Sequence, residues 1–151
     1  MPGRTISKKS PCILTSLALL PVAVLVALAI AAPAVAGAAS QRVTFRTDDG
    51  LTLVATWYEP PSRPAPVVIY VHMLQKSRRD WDQVAAQMAA EGIGGLAIDL
   101  RGHGESPGSP QDYTGMVQDV RAARRFLSSR PEGAPSRVGI AGASIGATLA
   151  A

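Results

Sequence analysis

The distribution of apolar and polar residues divides the chain into two segments. Residues 13–32 form an apolar run without a charged side chain, and the ten residues at the start of the chain carry basic side chains but no acidic ones. A basic start followed by an apolar run is typical of an export signal or a membrane anchor. From residue 41 onward, the periodicities of folded secondary structure begin. We therefore expect an N-terminal signal or anchor at 1–39 and a folded domain at 40–151.

The end of the apolar run indicates where an export signal would be removed. Ala34-Val35-Ala36 has the small-x-small pattern that signal peptidase accepts, and Ala38-Ala39 offers a second site. Pro21, Pro33 and the excess of alanine over leucine favour a cleaved signal over an uncleaved anchor. Because the positive end stays in the cytoplasm, both alternatives predict that the folded domain lies outside the cytoplasm. A cleaved signal would leave it secreted or periplasmic, and an uncleaved anchor would hold it at the membrane.

Apolar and polar positions alternate at the start of the second segment. Residues 43–47 and 51–58 alternate on either side of Asp48-Asp49-Gly50, which predicts an antiparallel hairpin. Four prolines within residues 59–66 predict a surface connection, since neither a helix nor a central strand accepts them. Beyond it we predict buried strands at 67–71, 93–100 and 137–141, and helices at 80–91, at 113–129 and from 147 onward.

The two complete predicted helices each have one apolar face. The face of the first comprises Trp81, Val84, Ala85, Met88 and Ala89, and that of the second comprises Met116, Val117, Val120, Ala123, Phe126 and Leu127. Strands and helices that alternate after an antiparallel hairpin are typical of an α/β protein. The sequence therefore predicts a parallel, doubly wound sheet with an antiparallel edge.

Composition narrows the possible partners. A chain of 151 residues with 47% hydrophobic residues fits one globular domain. Three of the four net positive charges come from Arg4, Lys8 and Lys9, so the folded segment carries a net charge of about +1 and a nucleic-acid partner is not expected. Cys12 is the single cysteine of the sequence, which excludes an intramolecular disulfide and a cysteine-based metal site.

The segment Gly142-Ala143-Ser144-Ile145-Gly146 follows a predicted strand and precedes a predicted helix. A serine hydroxyl is a weak nucleophile unless it is exposed, held by a base and placed beside donors for the oxyanion. A sharp strand-to-helix turn exposes the serine and crowds the backbone two residues to either side, where glycine is then required. This pattern predicts Ser144 as a nucleophile and the backbone N–H of Ile145 as an oxyanion donor.

A dinucleotide-binding turn is the alternative interpretation of these glycines. Such a turn also joins a strand to a helix, but it normally follows the first strand of its sheet and is accompanied by an acidic residue on the next strand. The turn at Ser144 comes late in the chain and no acidic residue follows it. The pattern therefore favours the nucleophile.

Three motifs carry a resemblance to a known family. They are Val71-His72-Met73-Leu74 after one predicted strand, Asp99-Leu100-Arg101-Gly102-His103-Gly104-Glu105-Ser106 after the next, and the turn at Ser144. In this order and context, residues 41–151 resemble the N-terminal half of the α/β-hydrolases, close to dienelactone-hydrolase-like and serine-aminopeptidase-like members. The resemblance implies an α/β-hydrolase fold and hydrolysis of a small-molecule ester or other acyl substrate, with no metal or organic cofactor.

The resemblance also assigns roles to individual residues. The loop that starts at His72 would supply the second oxyanion donor, from the backbone N–H of Leu74 or, alternatively, of Met73. Many members have glycine where this chain has Met73. His72 is expected to shape the loop through hydrogen bonds, His103 to belong to a structural turn rather than act as the base, and Asp99 to cap backbone groups.

In this family, the acid and the histidine of the triad follow the nucleophile along the chain. No Asp, Glu or His follows Ser144 in this sequence. We therefore expect a fragment of a longer serine hydrolase, inactive and prone to aggregation by itself; a genuinely short product is the alternative. For the full-length protein, a peptidase and a non-catalytic homologue remain the alternatives to an esterase or lactonase. The sequence indicates no oligomeric state, and membrane contact is expected only through residues 1–39.

Overall fold

The computed structural model describes residues 39–130, 135 and 137–151. Apart from Ala39, the predicted signal or anchor at 1–39 lies outside these residues and stays a prediction. Within the described part of the chain, no helix is long and apolar enough to cross a membrane.

The described elements form a five-stranded sheet with helices on both faces. The strands are β1 (Ser40–Arg46), β2 (Thr52–Tyr58), β3 (Val67–Val71), β4 (Gly94–Ile98) and β5 (Val138–Gly142). A 3₁₀ helix spans Arg78–Trp81, and the α-helices are α1 (Asp82–Ala90), α2 (Tyr113–Ser128) and α3 (Ile145–Ala150). The strand order is β1-β2-β4-β3-β5. β2 pairs antiparallel with β1 and β4, whereas β3 pairs parallel with β4 and β5. The predicted α/β sheet with an antiparallel edge is confirmed.

The first hairpin turns where the sequence predicts it, and two hydrogen bonds between Thr47 and Leu51 hold the turn. The backbone N–H of Leu51 donates to Oγ1 of Thr47 over 2.9 Å, and the N–H of Thr47 donates to the carbonyl of Leu51 over 2.9 Å. Gly50 has a φ of 89°, which a residue with a Cβ rarely adopts. These contacts fix the register in which Phe45 lies opposite Leu53.

Successive side chains of a β-strand point to opposite faces of the sheet, so the buried residues form two clusters, one on each face. One face packs against α2 and α3 and contains the larger cluster; its buried members include Leu53, Ile69, Val71, Leu96, Ile98, Met116 and Leu127. The other face packs against α1 and contains Tyr58, Tyr70, Ala85, Ala89 and Ala97. Ile69 and Tyr70 thus enter different clusters from adjacent positions of β3, as expected for a strand covered on both sides.

Two predictions about burial are wrong. β5 was expected to be buried, but Val138 and Ile140 are 36% and 37% exposed because, among the described strands, β5 pairs with β3 alone. Val84 was expected on the buried face of the first helix, yet it is 46% exposed. The α-helix begins only at Asp82, after the 3₁₀ turn, and it contacts the sheet through its small residues.

Other element boundaries differ slightly from the predicted ones. α3 begins at Ile145, two residues before its predicted start, because the turn at Ser144 leads directly into the helix. β4 ends at Ile98, although Asp99 and Leu100 remain fully buried beyond it. The buried run thus extends past the end of strand pairing, into the loop that carries the second motif.

A buried ion pair joins this loop to α2. Arg101 and Asp119 are almost fully buried, and the guanidinium and backbone N–H of Arg101 both donate to the Asp119 carboxylate. The same guanidinium donates to Asp49 in the hairpin turn and to Asp112 at the start of α2. Donation to the Asp119 carboxylate is the main reason that the pKa of Arg101 is raised above its ordinary value. Arg101 therefore holds three separate parts of the fold together.

We predict that Asp119→Ala lowers the free energy of unfolding by about 3 kcal/mol, because it leaves a buried guanidinium without its main partner. Denaturant unfolding of the purified protein measures this change. Asp48→Ala is the matched control, since the Asp48–Arg125 pair is exposed and should cost below about 1 kcal/mol. Equal and small effects of the two substitutions would contradict the assigned role of the buried pair.

Candidate active site

Ser144 lies at the turn between β5 and α3 in a rare backbone conformation. Its φ of 54° and ψ of −118° lie in a region that residues with a Cβ seldom occupy, and its side chain is exposed. Backbone hydrogen bonds from Gly146 N–H to the Ala143 carbonyl and from Ala147 N–H to the Ser144 carbonyl, both 2.9 Å, hold the turn. A strained residue of this kind costs about 1–3 kcal/mol and persists where the surrounding structure enforces it.

Glycine is required on both sides of the serine, as the sequence predicted. A Cβ on Gly142 would lie 2.1 Å from the carbonyl carbon and oxygen of Gly146. A Cβ on Gly146 would lie 2.3 Å from the carbonyl oxygen of Val71 and 3.0 Å from that of His72. These distances are far below van der Waals contact, so the turn closes against both itself and the end of β3.

The loop that follows β3 begins beside this turn. Gly142 is the register partner of Val71, and the backbone N–H of Ala143 donates to the Val71 carbonyl over 3.2 Å. Met73 and Leu74, the two alternative sources of the second oxyanion donor, follow in this loop and are about 40% exposed. The structure thus brings the candidate donor loop next to Ser144. The roles of Ser144 and of the amides of Ile145, Leu74 and Met73 stay predictions.

His72 is a buried residue whose two ring nitrogens are both occupied. Its Nε2 accepts a hydrogen bond from the backbone N–H of Leu100 over 3.1 Å, and its Nδ1 lies 2.7 Å from the Met73 carbonyl. Because Nε2 accepts, the proton belongs on Nδ1, which donates to that carbonyl. This geometry agrees with the expected loop-shaping role.

His103 is likewise held by the backbone. Its ring packs against the ring of His72 with the centroids 5.0 Å apart, and its Nδ1 lies 2.9 Å from the carbonyl of Arg101. It is 7% exposed and belongs to the loop after β4, as expected of a residue in a structural turn. Both histidines of the sequence therefore contact backbone groups in the interior.

The pKa of His72 predicts how stability depends on pH. Burial lowers this pKa below its ordinary value of 6.5 and the nearby His103 lowers it further, whereas the hydrogen bond to Met73 and the charges of Asp99 and Asp80 oppose the shift. The pKa of His72 is lower in the folded state than in the unfolded state. Its contribution to the free energy of unfolding is therefore fully present above pH 6.5 and is lost as the pH falls from there towards the folded-state pKa.

We expect the free energy of unfolding to decline below pH 6.5, and His72→Asn, which cannot titrate, to make that decline shallower. Thermal or denaturant unfolding at a series of pH values measures both slopes. An unchanged slope in the variant would show that His72 is not the group responsible.

Asp99 caps backbone groups at the end of β4. Its carboxylate is fully buried and accepts hydrogen bonds from the backbone N–H groups of Arg78, over 2.7 Å, and of Glu105, over 2.9 Å. A Cβ on Gly104, which has a φ of 54°, would lie 2.2 Å from this carboxylate. Ser106 Oγ donates to the Asp99 carbonyl over 2.8 Å. The expected structural role of Asp99 is therefore confirmed.

Sequence reasoning missed one residue near the site, Arg78, which contacts Asp99 and Glu105 and is 5% exposed. No signal in the sequence separates it from its neighbour Arg79, because both stand in the same polar stretch before α1. As to metals, the described residues contain no group of three or more His, Cys, Asp or Glu side chains placed to hold an ion.

The sheet order, the helices on both faces and the serine turn define an α/β-hydrolase fold. A model of the serine aminopeptidase S33 family matches residues 62–151, which is more than half of the chain. The chain therefore belongs to the serine aminopeptidase S33 family of α/β-hydrolases.

Curated relatives and solved structures agree with this assignment. The chain is 34% identical over 116 residues to the uncharacterised protein Rv2307c of Mycobacterium tuberculosis, covering 74% of this chain and 40% of that protein. It is 36% identical over 120 residues to the polyketide transferase claH of Penicillium crustosum, covering 73% and 38%. The chain thus spans about two fifths of the length of these relatives.

Among solved structures, the esterase Pf2001 of Pyrococcus furiosus superposes with a TM-score of 0.67 at 27% identity, covering 75% of this chain and 46% of that one. The α/β-hydrolase GrgF of Penicillium sp. sh18 superposes with a TM-score of 0.68 at 23% identity, covering 74% and 39%, and supports the fold alone.

Proposed function

We propose that the complete protein is a serine hydrolase that cleaves small-molecule esters or related acyl compounds, with Ser144 as the nucleophile. The observation that carries this proposal is the turn at Ser144. Its side chain is exposed, its backbone is strained, and each flanking glycine lies where a Cβ would collide with backbone atoms. A fold that maintains such a turn without a chemical use for it would retain a cost of about 1–3 kcal/mol.

In the proposed reaction, Oγ of Ser144 attacks the acyl carbon while a histidine takes its proton. The amides of Ile145 and of Leu74, or alternatively Met73, hold the oxyanion that forms. The histidine then protonates the leaving alcohol, and a water molecule releases the acid from the acyl-enzyme and restores the serine.

We infer that the histidine and its carboxylate partner come from residues outside 1–151. The two histidines of this chain donate to or accept from backbone groups in the interior, and the chain spans about two fifths of its curated relatives. Residues 1–151 by themselves are then expected to be inactive.

The loop beside the turn favours an apolar acyl or leaving group. Met73 and Leu74 expose apolar side chains there, and an apolar substrate group would cover them on binding. The 27% identical Pyrococcus furiosus structure is an esterase, which supports the same substrate class. A peptidase is the second candidate because the family model is that of a serine aminopeptidase.

The place of action is also part of the proposal. A basic start followed by the apolar run at 13–32 supports export, with cleavage near Ala36 or Ala39. The N-terminal sequence of the mature protein, isolated from the producing cell, tests this, and an intact Met1 in the cytoplasmic fraction would contradict it.

A substrate panel with the complete protein tests the reaction class. p-Nitrophenyl acetate, butyrate and octanoate are compared with aminoacyl p-nitroanilides by kcat/KM. The proposal expects the esters to be preferred and butyrate or octanoate to exceed acetate. A preference for the anilides would favour the peptidase, and no turnover of either class would favour a non-catalytic homologue.

A further inference from the structure

Arg78 is buried although its chain neighbour Arg79 is exposed. Its guanidinium forms ion pairs with Asp99 and Glu105, and its Nε donates to Oγ1 of Thr56 over 3.0 Å. Its backbone N–H donates to Asp99 as well, over 2.7 Å. One residue in the 3₁₀ helix is therefore attached to both β2 and the loop after β4.

These contacts lie at one end of the loop that is proposed to supply the oxyanion donor. At the other end, His72 is held by Leu100, and its carbonyl lies against Gly146 of the serine turn. Between the two ends, residues 73–76 are exposed, and Gln75 has a φ of 60°. An exposed loop with few packing contacts depends on its ends for its geometry.

The contact between Arg78 and Glu105 favours the charged form of both side chains. Hydrogen bonds from Arg78 and Arg42 lower the pKa of Glu105 to about 2. Burial alone would lower the pKa of Arg78, but the hydrogen bonds and charges of Glu105 and Asp99 raise it. The planar fork of an arginine suits two carboxylates and a hydroxyl at once, which a lysine ammonium does not reproduce.

From this geometry we propose that Arg78 is a positioning residue, which holds the loop at 72–77 so that the backbone N–H of Leu74 or Met73 faces the oxyanion formed at Ser144. The inference rests on the proposed function, because it concerns the same reaction. Arg78 itself does not touch the substrate; it acts through the loop that it anchors.

Kinetics of the complete protein test the catalytic consequence. Fluorophosphonate titration of Ser144 gives the active fraction, and kcat is expressed per titrated site. Arg78→Met is expected to lower this kcat at least about tenfold with little change in KM, since a misplaced donor affects the transition state more than substrate binding. Arg78→Lys should restore only part of the loss.

Two further variants keep the test decisive if Arg78→Met folds poorly. Glu105→Gln retains the Asp99 pair and is expected to cause a smaller fall in kcat than Arg78→Met. Arg79→Met is the matched control, because it removes an exposed arginine from the adjacent position, and it should stay within about twofold of the parent.

Amide hydrogen exchange tests the anchoring without relying on turnover. In Arg78→Met, or in Glu105→Gln to a smaller degree, two hydrogen-bonded amides are expected to exchange about tenfold faster, while those of β3 and β4 stay unchanged. They are the amide of Lys76, which donates to the Met73 carbonyl, and the amide of residue 78, which donates to Asp99. Arg79→Met should leave all of them as they are.

The two assays separate the failure of this inference from the failure of the proposed function. A parent protein that turns over esters through Ser144, with kcat per site unchanged in Arg78→Met and in Glu105→Gln, would overturn the positioning role. Unchanged exchange of the amides at positions 76 and 78 would overturn the anchoring. A parent without Ser144-dependent turnover would overturn the proposed function, and exchange would then still decide whether Arg78 anchors the loop.

Discussion

Ser144→Ala in the complete protein is expected to reduce ester turnover by about 10⁴-fold or more, because loss of a serine nucleophile removes the covalent step entirely. Steady-state hydrolysis of p-nitrophenyl butyrate measures the loss. Ser128→Ala removes an exposed serine from the end of α2 and serves as the matched control, with turnover expected to be unchanged.

The strain at Ser144 adds a second readout to this prediction. Alanine keeps the Cβ in the same unusual conformation, so Ser144→Ala should leave stability nearly unchanged. Ser144→Gly should raise the free energy of unfolding by about 1 kcal/mol while also abolishing turnover, since glycine accepts a φ of 54°. Turnover that survives in either variant, or a less stable Ser144→Gly, would contradict the account.

Gly146→Ala is expected to cost about 3 kcal/mol of stability and to abolish reaction at Ser144. The added methyl group would lie 2.3 Å from the Val71 carbonyl oxygen, and that backbone group belongs to a central strand. Either β3 or the turn must move, and both positions determine where the serine points. Denaturant unfolding and the rate of fluorophosphonate labelling measure the two effects.

Gly139→Ala provides the matched control within β5. Its added methyl group would lie 3.9 Å from Cγ2 of Val68, which is ordinary contact, and Gly139 carries no positive φ. Both stability and labelling should stay close to the parent values. If Gly146→Ala behaved like Gly139→Ala, the close packing of the turn against β3 would be wrong.

The fold was predictable because its signals are local. Alternation of apolar and polar residues predicted the hairpin, and a β-branched run predicted β3. The spacing of Gly142 and Gly146 around Ser144 predicted the turn. The exposure of β5 was not predictable in the same way. An apolar strand sequence does not tell whether a second strand lies beside it, and among the described strands β5 has one neighbour.

The sequence analysis did not predict the burial of the charged residues Asp119 and Arg78. Asp119 lies on the apolar side of α2, between Met116 and Val120, and that position was a usable signal that its carboxylate has a buried partner. Arg78 offered no such signal. Its burial depends on Asp99, which is 21 positions further along the chain and reaches it only once β3 and β4 have paired.

The most direct test of the central claim is the site of covalent labelling in the complete protein. After reaction with a fluorophosphonate, peptide mapping by mass spectrometry should place a single adduct on Ser144, and Ser144→Ala should remain unlabelled while Ser128→Ala labels at the parent rate. An adduct on another residue, or an unlabelled Ser144 in a protein that hydrolyses esters, would contradict the assignment of Ser144 as the nucleophile.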